Sequence, residues 1–212
     1  MTRFDELNKL FKGYFDVMDI SQEDKRKRVD CAFFFYDAVW YILTMIRLEH
    51  EKDRLEDAET YIRSLEYRIK DSLGEIPYDD EYVSKFSTEV IETTFRHLDD
   101  EEEQPSIQTS KTDKKEENYF LSENRAILIA QNEANTVMNS ADFITAKRSG
   151  KRYKTWVAQI DEVTREWHLE ADGTFLPIDE PFHVGNDLMR FPHDYTASPE
   201  NVVNCRCSCI YS

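Results

Sequence analysis

The stretch KTWVAQIDEVTREWHLEADG, residues 154–173, changes its period part-way along. KTWVAQI alternates, with Trp156, Ala158 and Ile160 directed to one face, as in a half-buried strand. DEVTREWHLEADG then reads as a short helix opened by Asp161 and closed near Gly173. A strand that hands over to a helix so quickly predicts a small α+β fold for this part of the chain.

Upstream, LSENRAILIAQNEANTVMNSADFITAKRSG predicts one helix from Ser122 to Lys147, with Ser122 as its cap and Gly150 as its stop. Arg125, Glu133 and Asn135 are its polar points and read as surface or capping residues. Downstream, TFLPID and PFHV read as short strands or extended segments. A loop punctuated by Pro192 and Pro199 follows, and VVNCRCSCIY reads as a final strand.

The first half has a different character. Phe4, Leu7, Leu10, Phe11, Tyr14, Phe15 and Met18 recur at steps of three and four, so they form an amphipathic helix, with Thr2 and Asp5 as a capping pair. Ser21 and Asp24 repeat that cap before a helix to about residue 50. Its stretch CAFFFYDAVWYILTMI, residues 31–46, is short for a bilayer span and carries Asp37, so it reads as a buried helix. Residues 51–73 continue as a second helical segment, ended by Gly74 and Pro77. Asp80–Leu98 forms another helix. DDEEEQPSIQTSKTDKKEEN, residues 99–118, has one aliphatic residue and reads as a linker. The expected organisation is a helical region at 1–98, a polar linker at 99–121 and an α+β domain at 122–212. That domain has a long helix, a short helix and a few-stranded sheet ending in the cysteine-rich strand.

Composition narrows the function. The net charge is −16 over 212 residues, so the bulk field repels nucleic-acid phosphates. The acidity gives solubility or complements a basic protein partner. The four cysteines do not make a secreted disulfide framework, and a reducing site of synthesis is expected. No membrane association is expected.

Cys205, Cys207 and Cys209 alternate. On a strand they would share a face, with Arg206 and Ser208 on the other. A step of two residues is about 7 Å in a strand, whereas sulfurs on one tetrahedral zinc lie nearer about 4 Å apart. A buried strand face is therefore the first reading. A zinc site using Cys205, Cys207 and His168 is the alternative, and it needs a turn there. Asp161, Arg165 and His168, spaced by four and three, would share one helix face. They read as a structural network, with a hydrolase or nuclease-like site centred on His168 as the alternative. No nucleophile, phosphate-binding or metalloprotease motif accompanies them.

Taken in order, RAILIAQNEAN (125–135), KTWVAQIDEVTREWHLEADG (154–173), PFHVGNDLMRFPHD (181–194) and NCRC (204–207) resemble the C-terminal domain of the tailed-phage minor head proteins, the Mu F-like head morphogenesis family. The residues that carry the resemblance are Arg125, Glu133, Trp156, Asp161, Arg165, His168, Gly173, Phe182, Pro192, Asn204, Cys205, Arg206 and Cys207. Gln131 and Asn132 depart from the family's usual Arg-Thr before Glu133. The resemblance implies a structural virion protein, not an enzyme, with no resident cofactor. It implies partners in the portal protein, the major capsid protein or both, and at most indirect contact with packaged DNA. It places the chain in the capsid interior or at the portal vertex, after synthesis in the bacterial cytoplasm. Arg165 and Arg206 are expected in buried bonds with carboxylates, Trp156 as the core anchor, and the helical half as the docking part.

Overall fold

A computed structural model describes residues 1–103 and 118–212. Helix α1 spans Arg3–Asp16 and opens with the expected capping box between Thr2 and Asp5. Helix α2 spans Gln22–His50, with Ser21 Oγ accepting from the Asp24 amide at 3.1 Å. By length and composition α2 could cross a membrane, but 56% of its apolar window is buried in the protein. Cys31, Ala32, Phe35, Val39, Ile42, Leu43 and Ile46 form the buried stripe, and Asp37 lies on the exposed side.

The helical pattern does not continue directly after residue 50. A turn with Asp53 at φ 54° separates α2 from α3, Ala58–Leu73, because Asp57 caps a new helix by accepting from the Thr60 amide. Gly74, at φ 55°, ends α3. Helix α4 runs Asp80–Glu103, past the expected end at Leu98, so the start of the acidic run is helical. The rest of the expected linker up to residue 117 lies outside the described residues. A 3-10 turn, Tyr119–Leu121, leads to α5, Glu123–Arg148, capped by Ser122 as expected.

Then come β1 (Tyr153–Val157), α6 (Glu166–Glu170), β2 (Phe175–Pro177), β3 (Phe182–Val184), β4 (Asp187–Met189), α7 (Pro199–Val202) and β5 (Ser208–Tyr211). The α+β expectation holds: β2, β1 and β5 form an antiparallel sheet in that order, and β3 pairs with β4 as a hairpin. Gly185, at φ 58°, turns that hairpin, and a Cβ there would come within 3.2 Å of the Trp167 ring.

Three local expectations fail. β1 stops at Val157, so Ile160 leaves the strand face and is 70% exposed. Asp161 does not open a helix, because its carboxylate and Thr164 close a tight turn of their own and α6 begins only at Glu166. The final strand is shorter than VVNCRCSCIY. Val202 ends α7, Asn204 takes a left-handed φ of 58°, and only Ser208–Tyr211 pairs with β1.

The chain forms two compact units. One comprises Met1–Phe33, Glu75–Asp79 and Ala130–Ser212, and the other Phe34–Gly74 and Asp80–Ile129. They cut across the expected 1–98, 99–121 and 122–212. In the second unit Arg125 is buried, not a surface residue. Its guanidinium donates to Thr94 Oγ1 at 2.6 Å and to the carbonyls of Phe120 at 2.7 Å and Val90 at 3.2 Å. In the first unit the main core gathers Trp156, Ala158, Ala171, Phe182, Val184, Met189, Cys205 and Cys207.

Lys154 of β1 is buried beside this core. Its ammonium donates to the Arg190 carbonyl at 2.7 Å and lies 4.6 Å from the Phe182 ring. Burial pushes its pKa down to about 8. A base lowered on folding favours its neutral form in the native state. The stability it contributes is full above its unfolded value of about 10.4 and falls as pH drops towards about 8. The stability difference between the wild type and Lys154→Met should therefore shift in favour of the wild type by about 1 kcal/mol from pH 7 to pH 9. Paired urea titrations at the two pH values check this, and an unchanged difference refutes it.

Candidate functional site

The site is built on the turn Asn204-Cys205-Arg206-Cys207. Helix α5 presents Asn132, Asn135 and Asn139 along one face, at spacings of three and four. Asn132 Oδ1 accepts from the Asn204 amide at 2.6 Å. Asn135 Nδ2 donates to the Cys205 carbonyl and Asn139 Nδ2 to the Cys207 carbonyl, each at 3.3 Å. Asn139 Nδ2 also reaches the Pro192 carbonyl at 3.0 Å. Asn135 is fully buried, contrary to its expected surface role. Its carbonyl oxygen accepts from Arg28 Nε at 3.2 Å, and that of Asn139 accepts from Arg28 Nη2 at 2.8 Å. Arg28, from α2, thus orients both amides. The sequence pattern concealed this, because Arg28 stands in a charged run that reads as surface. His193, fully buried and at φ 63°, donates from Nε2 to the Cys205 carbonyl.

Asp161, Arg165 and His168 do not share a helix face. Asp161 pairs with Arg206 at 2.5 Å. Burial raises the Asp161 pKa, but hydrogen bonds from Thr164, the Val163 amide and Arg206 outweigh it and hold the carboxyl below its usual range. The expected Arg206–carboxylate bond is therefore present, at a partly buried position. Arg165 instead donates to the Val203 carbonyl at 2.7 Å, so its expected carboxylate partner is replaced by backbone. It lies at the N-cap of α6. Gly173, at φ 71°, sits in the turn into β2, where its amide donates to the Trp156 carbonyl at 3.0 Å. Glu133 is half-buried on α5. Trp156 is fully buried, edge-on to His168 and to Phe182, as the anchor reading requires.

His168 is buried with the cysteines. Its Nδ1 lies 3.6 Å from Cys205 Sγ and 3.5 Å from Cys207 Sγ. The three atoms all fall within 4.8 Å of one another. The left-handed Asn204 and the clamped carbonyls make this possible, since neither Cys205 nor Cys207 belongs to β5. Cys209 does, opposite Trp156. The Cys207 amide donates to Cys205 Sγ at 3.4 Å. A hydrogen bond from Cys205, with help from the Gln159 amide, holds the Cys207 thiol well below its usual pKa, while burial raises that of Cys205.

The tautomer of His168 follows from its far side. Asn201 Nδ2 donates to the Val184 carbonyl at 3.0 Å and to Asp187 Oδ2 at 2.7 Å, which fixes the amide orientation. Its Oδ1 therefore faces Trp167 Nε1, at 2.5 Å, and His168 Nε2, at 3.2 Å. An amide oxygen only accepts, so Nε2 carries a proton, and in the neutral form of the imidazole the lone pair lies at Nδ1. A cavity of about 10 Å³ adjoins the group, bounded also by Gln159, Thr164 and Arg165. Arg165 and Arg206 also line an adjoining open groove of about 520 Å³ with Gly13 and Tyr14.

Residues 96–210 match the family described as phage Mu protein F like protein. The chain belongs to that family of bacteriophage head-morphogenesis proteins. The match contains every residue that carries the sequence resemblance, from Arg125 to Cys207, and starts in α4, upstream of the expected domain start at 122. A curated relative, the NAD(+)--arginine ADP-ribosyltransferase EFV of Enterococcus faecalis, is 34% identical over 90 residues. That stretch is 41% of this chain and 18% of the relative, so the chain spans less than a fifth of that protein's length. No solved structure matches the chain at a significant level.

Proposed function

We propose that this Mu F-like chain is a minor structural component of the phage head, present in few copies at the portal vertex or inner capsid surface. It acts there in head assembly, DNA packaging or delivery. The family match over residues 96–210 carries this reading. The portal protein, the major capsid protein or both are its partners, and the helical residues outside the matched segment supply the docking part. With a net charge of −16, the chain meets packaged DNA only indirectly.

The role is architectural, not enzymatic. His168, the one side chain that sequence reasoning offered as an acid or base, is 1% exposed. The cavity of about 10 Å³ beside it has room for a single water at most. The ADP-ribosyltransferase activity named for the enterococcal relative stays with that protein.

Heads purified by sedimentation should contain this chain at a low, constant ratio to portal, measured by quantitative mass spectrometry. A chain that remains in the soluble fraction at every stage of assembly would sink the reading.

A further inference from the structure

Two sulfurs share one nitrogen lone pair in this fold. A single lone pair accepts one hydrogen bond well, yet His168 Nδ1 stands almost equidistant from both sulfurs, at 3.6 and 3.5 Å. A common bonding partner lying between the three atoms accounts for such a triangle. In a tetrahedral zinc site, Zn–S bonds of about 2.3 Å and Zn–N bonds of about 2.05 Å set N···S at about 3.6 Å and S···S at about 3.8 Å. The two N···S distances meet that value, and the S···S separation falls within the 4.8 Å limit of the group.

We propose that His168 Nδ1, Cys205 Sγ and Cys207 Sγ bind one divalent transition-metal ion, zinc by its preference for two thiolates and an imidazole, with a water-sized ligand in the fourth place.

The surroundings are those of a ligand set. Asn201 holds the Nε2 proton and so directs the Nδ1 lone pair inward, as outer partners of metal-bound histidines do. The Cys207 amide points at Cys205 Sγ and stabilises a thiolate there. Asn135, Asn139 and His193 fix the carbonyls of the two cysteines, so the turn is set before an ion arrives. The cavity of about 10 Å³ leaves space for a water but not for a substrate. The ion therefore tethers the NCRC turn to α6 and performs no reaction. Two thiolates neutralise its charge, so the site needs no further carboxylate. The ion site depends only on these side chains, wherever the chain resides in the particle.

The test uses the full chain, expressed in zinc-supplemented medium and purified without chelators. Metal analysis should give about one equivalent of zinc per chain, and Cys209→Ser should keep it. Cys207→Ser should fall below about a tenth of an equivalent. Asn201→Ala should weaken zinc binding by about 10–100-fold in a chelator competition, because the histidine tautomer is no longer held. Cobalt(II) added to the metal-stripped chain should give a thiolate charge-transfer band and the strong visible bands of tetrahedral coordination. Zinc below about a tenth of an equivalent in the wild type, with no cobalt–thiolate band, overturns the proposal. If Cys207→Ser fails to fold, the wild-type stoichiometry and the cobalt spectrum decide it without the variant. Loss of metal from Cys209→Ser with retention in Cys207→Ser would also overturn it.

Discussion

Trp156→Ala should lower the unfolding free energy by about 3–5 kcal/mol, the cost of truncating a large aromatic ring in a close-packed core. Trp156 is fully buried and touches two rings edge-on, His168 at 5.7 Å and Phe182 at 5.2 Å between centroids. It lies opposite Cys209 across β1 and β5, so its loss opens a cavity at the junction of sheet, hairpin and NCRC turn. The indole Nε1 has no hydrogen-bond partner among the described residues. Trp156→Phe should therefore cost clearly less than Trp156→Ala, since it keeps a ring and releases an unpaired donor. Urea unfolding of the three proteins measures both effects. A loss below about 1.5 kcal/mol for Trp156→Ala would mean that the core is not organised around this ring.

Arg28→Met should cost about 3 kcal/mol, because it strips donors from two buried amide oxygens at once. The opposite outcome has a physical case. Arg28 is 1% exposed, its Nη1 has no hydrogen-bond partner among the described residues, and its nearest carboxylate, Asp142, is 3.5 Å away. Burial lowers the Arg28 pKa despite Asp142. Replacing a poorly paired buried charge by an apolar side chain can stabilise a protein. The amides decide the sign. Without Arg28, the oxygens of Asn135 and Asn139 lose their donors, and the nitrogens that hold the Cys205 and Cys207 carbonyls lose their orientation. An Arg28→Met/Asn139→Leu double-mutant cycle should show coupling of about 1–2 kcal/mol. A higher melting temperature for Arg28→Met would show that charge burial outweighs the amide network.

Arg28 also explains why the compact units ignore the linear division of the chain. Residues Met1–Phe33 share a unit with Ala130–Ser212. Phe4 stacks on Phe33 and Phe11 meets it edge-on there, and Arg28 completes hydrogen bonds that serve the C-terminal turn. A truncation at the apparent linker would remove them. No local period announces such a role, because a buried arginine in a run of charged residues looks like a solvated one.

Much of the fold was nevertheless legible in advance. The capping box at Thr2, the caps at Ser21 and Ser122, the stops at Gly74 and Gly150 and the strand through Trp156 are local: each depends on a few neighbouring side chains and the backbone they bond. The motif from Arg125 to Cys207 was readable as a family pattern. Its geometry was not. Periodicity placed Asp161, Arg165 and His168 on one helix face, and Cys205, Cys207 and Cys209 on one strand. The side-chain bonds of Asp161 and Thr164 close a turn instead, and Asn132, Asn135 and Asn139 bend the NCRC segment before the strand begins.

The sequence by itself determined the helical first half, the α+β second half, the burial of Trp156 and membership of the Mu F-like family, since composition, period and motif order are properties of neighbours along the chain. Only the tertiary structure decided that His168 meets Cys205 and Cys207, that Arg28 orients the asparagines behind them, and that Asp161 pairs with Arg206. These contacts join residues far apart in the chain. They form because buried polar groups must find partners, and which partner is within reach is set by packing, not by sequence spacing.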